Sequence, residues 1–332
     1  MTTRTSTTTR TTTHTPTMLA VVESMSRAGT DVLLIELAPA DPDATFPAFT
    51  AGAHVDLHLG PVIRQYSLLG DPTAPDATTR WFIAVKHDHD GRGGSTVIHE
   101  QLRVGHILEI TGPRNHFPLE DTPGRVVLLA GGIGITPLAA MAAACDAVGR
   151  PRELHVYAST AEDVPLRGHV SGAVEHLSVD GDSVRTATGL PTGYIPGDQL
   201  YICGPGGFID RAVELAAADG WPEEAVRVER FAPSAASAAA SATDGAFEVR
   251  LASTGATFPV PEDMSIADVL TDNGVDIELS CEAGMCGACL TGVVDGVPDH
   301  RDDVQSPTEH ASNTQITLCC SRSLTPSLTL DL

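Results

Sequence analysis

The sequence predicts a multidomain chain of α/β and β architecture: an antiparallel β-barrel, then an α/β domain, then a small, mainly β C-terminal domain. Three observations carry that expectation. The chain has 332 residues and 42% hydrophobic content, enough apolar side chain for two or three cores. Short alternating runs fill residues 18–118, whereas a strand, glycine turn and helix pattern begins at residue 125. The Ala/Ser-rich stretch APSAASAAASATD at 232–244 reads as a linker that sets the C-terminal region apart. The expected organisation is a disordered tail at 1–17, a barrel at 18–121, an α/β domain at 122–231, the linker at 232–244 and the last domain at 245–332.

The tail, MTTRTSTTTRTTTHTPT, holds 11 threonines and lacks the apolar core of an export signal. The uncharged run Val126–Cys145 has the length of a membrane span, but Gly131, Gly132, Gly134 and Pro137 interrupt it, so a buried strand, a turn and a helix fit better. A cytoplasmic protein without a membrane partner is expected. Lys and Arg total 20 against 43 Asp and Glu, a formal charge of -23. That field repels nucleic acid phosphates, so no nucleic-acid partner is expected. Residues 245–332 carry 14 Asp and Glu against 3 Arg, a net of -11.

In the first segment the runs AVVESM, DVLLIEL, AHVDLHL, IRQYSLL and WFIAVKH alternate between Gly, Pro and Asp turns, as in a small antiparallel barrel. Two motifs stand out: Arg64-Gln65-Tyr66-Ser67 and Gly91-Arg92-Gly93-Gly94-Ser95-Thr96, a glycine nest opening the helix STVIHEQLRV. A nest at a helix N-terminus presents backbone donors to an anion. Taken alone, R-x-Y-S also fits an ordinary strand ending. The HDHD run at 87–90 reads as a solvated hairpin turn, and no second metal is assigned. Lys86, the one lysine of the chain, lies in the strand just before the nest.

In the middle segment RVVLLAGGIGITPLAAMAAACDAVG predicts a strand at 125–130, a glycine turn and a helix from about 137 to 147, with Pro137 in its first turn. A glycine turn between a strand and a helix N-terminus can cradle a diphosphate, because backbone donors and the helix dipole meet there, although taken alone a Gly-rich turn is more often just a turn. Further strands are expected at 153–160 and 198–209. The latter contains Cys203-Gly204-Pro205 at a strand's C-terminal end, where open parallel sheets place ligands.

The strongest signal is SCEAGMCGACLTG. It spaces Cys281, Cys286 and Cys289 as C-x4-C-x2-C, with Cys319 following 30 residues after Cys289, the plant-type spacing for a 2Fe–2S cluster. Small residues at Gly284, Gly287 and Ala288 let backbone N–H groups approach the sulfurs. Four thiolates also suit zinc, although structural zinc usually uses two short-spaced pairs. Neighbours on a strand face opposite ways, so only one of Cys319 and Cys320 ligates; Cys319 is preferred, leaving Cys320 as a buried thiol.

The C-terminal segment resembles the β-grasp plant-type ferredoxin domain. GGIGITP and CGP resemble the nicotinamide-binding half of ferredoxin reductase-like flavoproteins, and R-x-Y-S their flavin barrel. The resemblance implies that Arg64 pairs with flavin phosphate, Tyr66 packs on the isoalloxazine and Ser67 sits near its reactive nitrogen. Gly93, Gly94, Ser95 and Thr96 complete the phosphate pocket, and Val85 and Lys86 neighbour the ring. It also places Gly132, Gly134, Thr136, Pro137, Cys203, Gly204 and Pro205 at NAD, with Cys203 beside the hydride path; a small buried core residue is the other reading of Cys203. A monophosphate pocket points to FMN over FAD, and the neutral-to-acidic stretch Ser159–Asp163 to NADH over NADPH.

The order flavin, nicotinamide, ferredoxin resembles phthalate dioxygenase reductase and vanillate demethylase reductase subunits over nearly the whole chain, including the closing Cys-Cys-Ser-Arg. This implies an NADH-dependent reductase that passes electrons through FMN and a 2Fe–2S cluster to a terminal oxygenase, Rieske aromatic-ring or O-demethylating. No side chain is expected to act as acid, base or nucleophile. The acidic C-terminal domain is expected to dock transiently on a basic face of that partner. A haem-thiolate monooxygenase as partner, or a non-oxygenase electron-transfer subunit, is the alternative.

Overall fold

A computed structural model describes residues 17–60, 62–89, 91, 93–232 and 245–332. The Thr-rich tail up to residue 16, the linker from 233 to 244, Asp90 of the HDHD run and Arg92 of the nest lie outside the described residues.

Six antiparallel strands form the first sheet: β1 (Thr17–Arg27), β2 (Val32–Pro39), β3 (His54–Leu59), β4 (Val62–Ser67), β5 (Trp81–Lys86) and β6 (Ile107–Arg114). Their spatial order is β4-β3-β6-β1-β2-β5. An isolated bridge between Leu69 and Phe82 brings the two edges together, so the sheet curls into a half-barrel. Alternation drives this: Ile35, Leu37, Val55, Leu57, Trp81 and Ile83 point into one core. Helix α1 (Gly94–Gln101) opens behind Gly93, whose φ of 82° is left-handed. Strand β6 was not singled out in the sequence, although ILEITGPR carries the same alternation.

The second sheet is parallel, ordered β11-β10-β7-β8-β9, from β7 (Val126–Gly131), β8 (Arg152–Ala158), β9 (Ala173–Leu177), β10 (Gln199–Cys203) and β11 (Val226–Glu229). Leu128 and Ala130 pack with helix α2 (Ile135–Val148) on one face. Val127 and Leu129 pack with α3 (Gly206–Ala218) on the other, which is why β7 is apolar throughout. Two expectations need correction. The strand expected over 198–209 stops at Cys203, because Pro205 caps α3 and the glycines after it begin that helix. Helix α2 starts two residues early, since Gly132–Gly134 form a 3-10 turn that runs straight into it.

The third sheet, ordered β13-β12-β18-β14-β16, is built from β12 (Phe247–Leu251), β13 (Thr257–Val260), β14 (Leu290–Asp295), β16 (Gln315–Thr317) and β18 (Ser327–Leu330). A two-stranded pair, β15 (Pro298–Asp299) and β17 (Arg322–Ser323), lies beside it. Strand β18 runs parallel to β12 and antiparallel to β14. The sheet grips α4 (Ile266–Asp272), whose Ile266, Val269 and Leu270 share its core. Ser265 and Asp268 close a reciprocal capping box at the start of α4, and Ser306 with Glu309 do the same for α5 (Pro307–Ser312). Among the described residues no helix is long and apolar enough to cross a membrane.

Candidate functional site

A cavity of about 690 Å³ opens where the three sheets meet. The first sheet supplies Arg64, Gln65, Tyr66, Ser67, Lys86, Gly94 and Ser95 to its wall. The second supplies Ile133, Thr136 and Glu229, and the third Cys281, Ala283 and Met285. Strand β4 is an edge strand paired only with β3, which leaves the side chains of residues 63–66 half-buried and facing the space. Burial raises the Tyr66 phenol above its usual range, with the Arg64 charge opposing.

Arg64 lies directly across the N-terminus of α1: a Cβ on Gly94 would sit 2.4 Å from its Cγ. An arginine fork and a bare helix N-terminus thus converge, a phosphate-binding arrangement. Ser95 Oγ accepts the Asp88 backbone N–H at 3.0 Å, and Thr96 Oγ1 pairs with His87 Nε2 at 3.3 Å. Gly93 caps the helix, its carbonyl accepting from Val97 N–H at 3.0 Å. The Val85 side chain is buried, and its carbonyl accepts from His99 Nε2 at 3.0 Å. The flat phenol, the fork and the side-chain-free helix start fit a flavin.

The glycine turn after β7 and the Cys203-Gly204-Pro205 turn meet. A Cβ on Gly134 would lie 2.2 Å from the Cys203 carbonyl oxygen and 2.6 Å from Gly204 N, and Gly131 and Gly204 both press on Phe208. Thr136 Oγ1 donates to the Ile133 carbonyl at 3.0 Å, and Pro137 sits in the first turn of α2. Among the described residues the cavity wall here belongs to Ile133, Thr136, Glu229, Arg230, Phe231 and Ala232; Cys203, Gly204 and Pro205 are set back from it. Cys203 is fully buried, and burial, then the neighbouring Glu229 carboxyl, pushes its thiol well above the usual range.

Glu229 was missed in the sequence. It pairs with Cys203 in register across β10 and β11. Its Oε2 is buried and has no hydrogen-bond partner among the described residues. Burial raises its carboxyl to about 8. The alternation in VRVER is the signal that was there to find it.

The cysteine loop wraps as its small residues allow. Glu282, Gly284 and Gly287 are left-handed, at φ 49°, 69° and 67°. Cys281 Sγ accepts backbone N–H groups from Ala283 at 3.4 Å and Met285 at 3.3 Å, and Cys286 Sγ accepts from Ala288 at 3.4 Å. The hydrogen bond from Cys286 is the main reason the Cys281 thiol falls to about 6. Four thiols and inward N–H donors fit a 2Fe–2S cluster.

Cys319 and Cys320 do not stand on alternating strand faces, because β16 ends at Thr317 and both lie in the turn that follows. Hydrogen bonds join Cys319 to both Cys289 and Cys320. Cys320, half-buried where a buried thiol was expected, has its Sγ 3.3 Å from Thr317 Oγ1 and packs on Gly284. Behind the loop the buried Asp302 accepts from the Gln305 N–H at 2.9 Å and Thr317 Oγ1 at 3.3 Å. Asp303 N–H donates to the Gly284 carbonyl at 3.0 Å, so this network braces the loop.

Comparison with known proteins agrees with this geometry. Residues 249–324 match the 2Fe-2S iron-sulfur cluster binding domain. The chain is 40% identical to the vanillate O-demethylase oxidoreductase of Pseudomonas sp. (strain HR199), over 94% of this chain and 99% of that one. Among solved structures it is similar to phthalate dioxygenase reductase, described as a modular structure for electron transfer from pyridine nucleotides to [2Fe-2S]. That likeness has a TM-score of 0.66 and 31% identity, over 95% of this chain and 98% of that one. An intact type IV self-sufficient cytochrome P450 monooxygenase aligns with a TM-score of 0.83 and 35% identity, over 95% of this chain but 41% of the P450. With a flavin-type cavity, a nicotinamide-type turn and a cluster loop on one wall, the chain belongs to the family of vanillate O-demethylase oxidoreductases and phthalate dioxygenase reductases.

Proposed function

We propose that the chain is the reductase component of an oxygenase system, moving electrons from NADH through FMN and a 2Fe–2S cluster to a terminal oxygenase. The observation that carries this is a single cavity walled by Arg64, Tyr66 and Ser67, by Ile133 and Thr136, and by Cys281. As a member of this family the protein is an oxidoreductase with a flavin, NAD(H) and a 2Fe–2S cluster. When bound, these groups supply hydride acceptance and one-electron release.

The chain's own residues bind and orient. Arg64 and the N–H groups at Gly94 and Ser95 hold the flavin phosphate, with Gly93 setting the turn and Thr96 fixing His87 at its edge. A single phosphate matches one arginine and one helix N-terminus, which favours FMN. Tyr66 offers a flat face, Ser67 a small hydroxyl, and Val85 and Lys86 the neighbouring strand. Gly132, Gly134, Thr136 and Pro137 form the nicotinamide cradle. Cys203, Gly204 and Pro205 support it from behind, and the Glu229 carboxyl holds its proton at neutral pH. Cys281, Cys286, Cys289 and Cys319 hold the cluster.

NADH is favoured because the turn after β8 is occupied by Asp163, whose carboxylate accepts from Thr160 Oγ1 at 3.0 Å, where a 2′-phosphate would need a cation. The fusion of a similar chain to a P450 supports a haem-thiolate partner as the second reading. We place domain boundaries near 121, 232 and 245, a division that the three separate sheets support. Anaerobic titration with NADH, followed by visible spectroscopy and by chromatography of the released flavin, tests this. Flavin and cluster should bleach in turn and FMN should elute; a cluster that stays oxidised would refute it.

A further inference from the structure

Three neighbouring strands of the first sheet, β4, β3 and β6, place Gln65, Asp56 and Arg114 side by side: Asp56 is in register with Gln65, and His54 with Arg114. Gln65 and Arg114 contact residues 278–287, the segment that carries Cys281 and Cys286, while Asp56 bonds Arg114 from within the first sheet. The Arg114 guanidinium is almost buried and bonds two carboxylates. One of its nitrogens donates to Asp56 of its own sheet, which is 3% exposed. The other reaches across to Glu278 Oε1 at 3.1 Å, and Glu278 is 33% exposed. Gln65 Nε2 donates to Ser280 Oγ at 3.1 Å. The His116 ring lies on the loop backbone, 2.9 Å from where a Cβ on Gly287 would stand. The three cross-contacts therefore flank the cluster cysteines at 278, 280 and 287.

This pattern is asymmetric. Asp56 and Arg114 form a desolvated pair that stays with the first sheet, while Glu278 is the outer, more hydrated partner. Breaking a buried pair from inside leaves an uncompensated charge and is costly, whereas a partly exposed pair loosens easily. The arginine is thus held by its own sheet and presents a second guanidinium nitrogen to a carboxylate three residues before Cys281. A planar fork held at one edge has one direction left to bond.

We propose that Arg114 is a positioning residue for internal electron transfer: pinned by Asp56, it clamps Glu278 and holds the cluster-binding loop against the flavin cavity. This rests on the function proposed above, because a short flavin-to-cluster path matters only if electrons cross it. Electron transfer slows steeply with distance, so loosening the clamp affects that step and leaves hydride uptake at the far wall untouched.

The test uses the full holoprotein and changes only the outer carboxylate, Glu278→Gln and Glu278→Lys, so that the Arg114–Asp56 pair stays intact. In stopped-flow mixing with NADH, flavin reduction should stay within about twofold of the unaltered protein. Cluster bleaching should slow about threefold in E278Q and at least tenfold in E278K, where like charges face each other, and Glu278→Asp should recover part of the rate. In small-angle scattering E278K should show a larger radius of gyration. Cluster bleaching in E278K at the unaltered rate would overturn the clamp. If the unaltered protein never bleaches its cluster with NADH, the proposed function fails instead, and the clamp is then decided by scattering alone: an unchanged radius of gyration in E278K overturns it.

Discussion

At the residue scale, Glu229 couples protonation to folding. Its carboxyl matters because it stands beside Cys203 on an adjacent strand, and 25 residues separate the two in sequence. Its raised carboxyl, about 8 against an ordinary 4.5 with burial as the cause, has a consequence for stability. The folded state holds a proton that the unfolded chain releases, so the contribution is fully present below pH 4.5 and is lost as pH rises through 8. We expect Glu229→Gln to remove that loss, leaving the variant more stable than the unaltered protein at pH 9 by up to about 5 kcal/mol. Thermal melts across pH 5 to 9 check this, and parallel curves for the two proteins would count against it.

At the element scale, periodicity placed most of the strands and helices, and errors fell where two elements touch. The strand expected to run to residue 209 was cut by Pro205, whose role as the cap of α3 is visible only once α3 packs on β10 and β11. Cys319 and Cys320 are expected on opposite faces of a strand, yet the strand ends at Thr317. The glycine turn shows the same dependence on a partner. Gly132 and Gly134 look equivalent in GGIG, but a Cβ on Gly132 meets nothing within 4 Å, whereas one on Gly134 would overlap the Cys203 backbone. Gly132 is left-handed instead, at φ 52°. Gly132→Ala should therefore cost about 1 kcal/mol of backbone strain. Gly134→Ala must push α2 away from β10, costing about 3 kcal/mol. Denaturation by urea followed through the aromatic signal of the second sheet, where Tyr201 and Trp221 lie, ranks the two; equal midpoints would show that the close approach is not needed.

At the scale of the whole molecule, composition and segment order were enough to read three units, but their mutual placement was not. Arg114 and Glu278 are 164 residues apart, and no local pattern pairs them. Charge distribution is the part of the whole that was legible. The third unit holds a net of -11, and Glu262, Asp263, Asp272 and Asp295 are exposed on it. We expect a partner that receives electrons from this domain to meet it through a basic face, in an encounter steered by charge and weakened as the screening length shrinks. The clamp faces the flavin and uses Glu278, so these four acids are free to serve docking without disturbing the internal step. Two salt responses should then separate. Electron delivery to the partner oxygenase should fall roughly tenfold as ionic strength rises from 0.01 to 0.5 M, and replacing the four acids with their amides should flatten that slope. Hydride uptake from NADH should change little in either case, because it happens inside the cavity. Delivery that is insensitive to salt, or a quadruple amide variant with the original slope, would move the docking face away from the acidic domain.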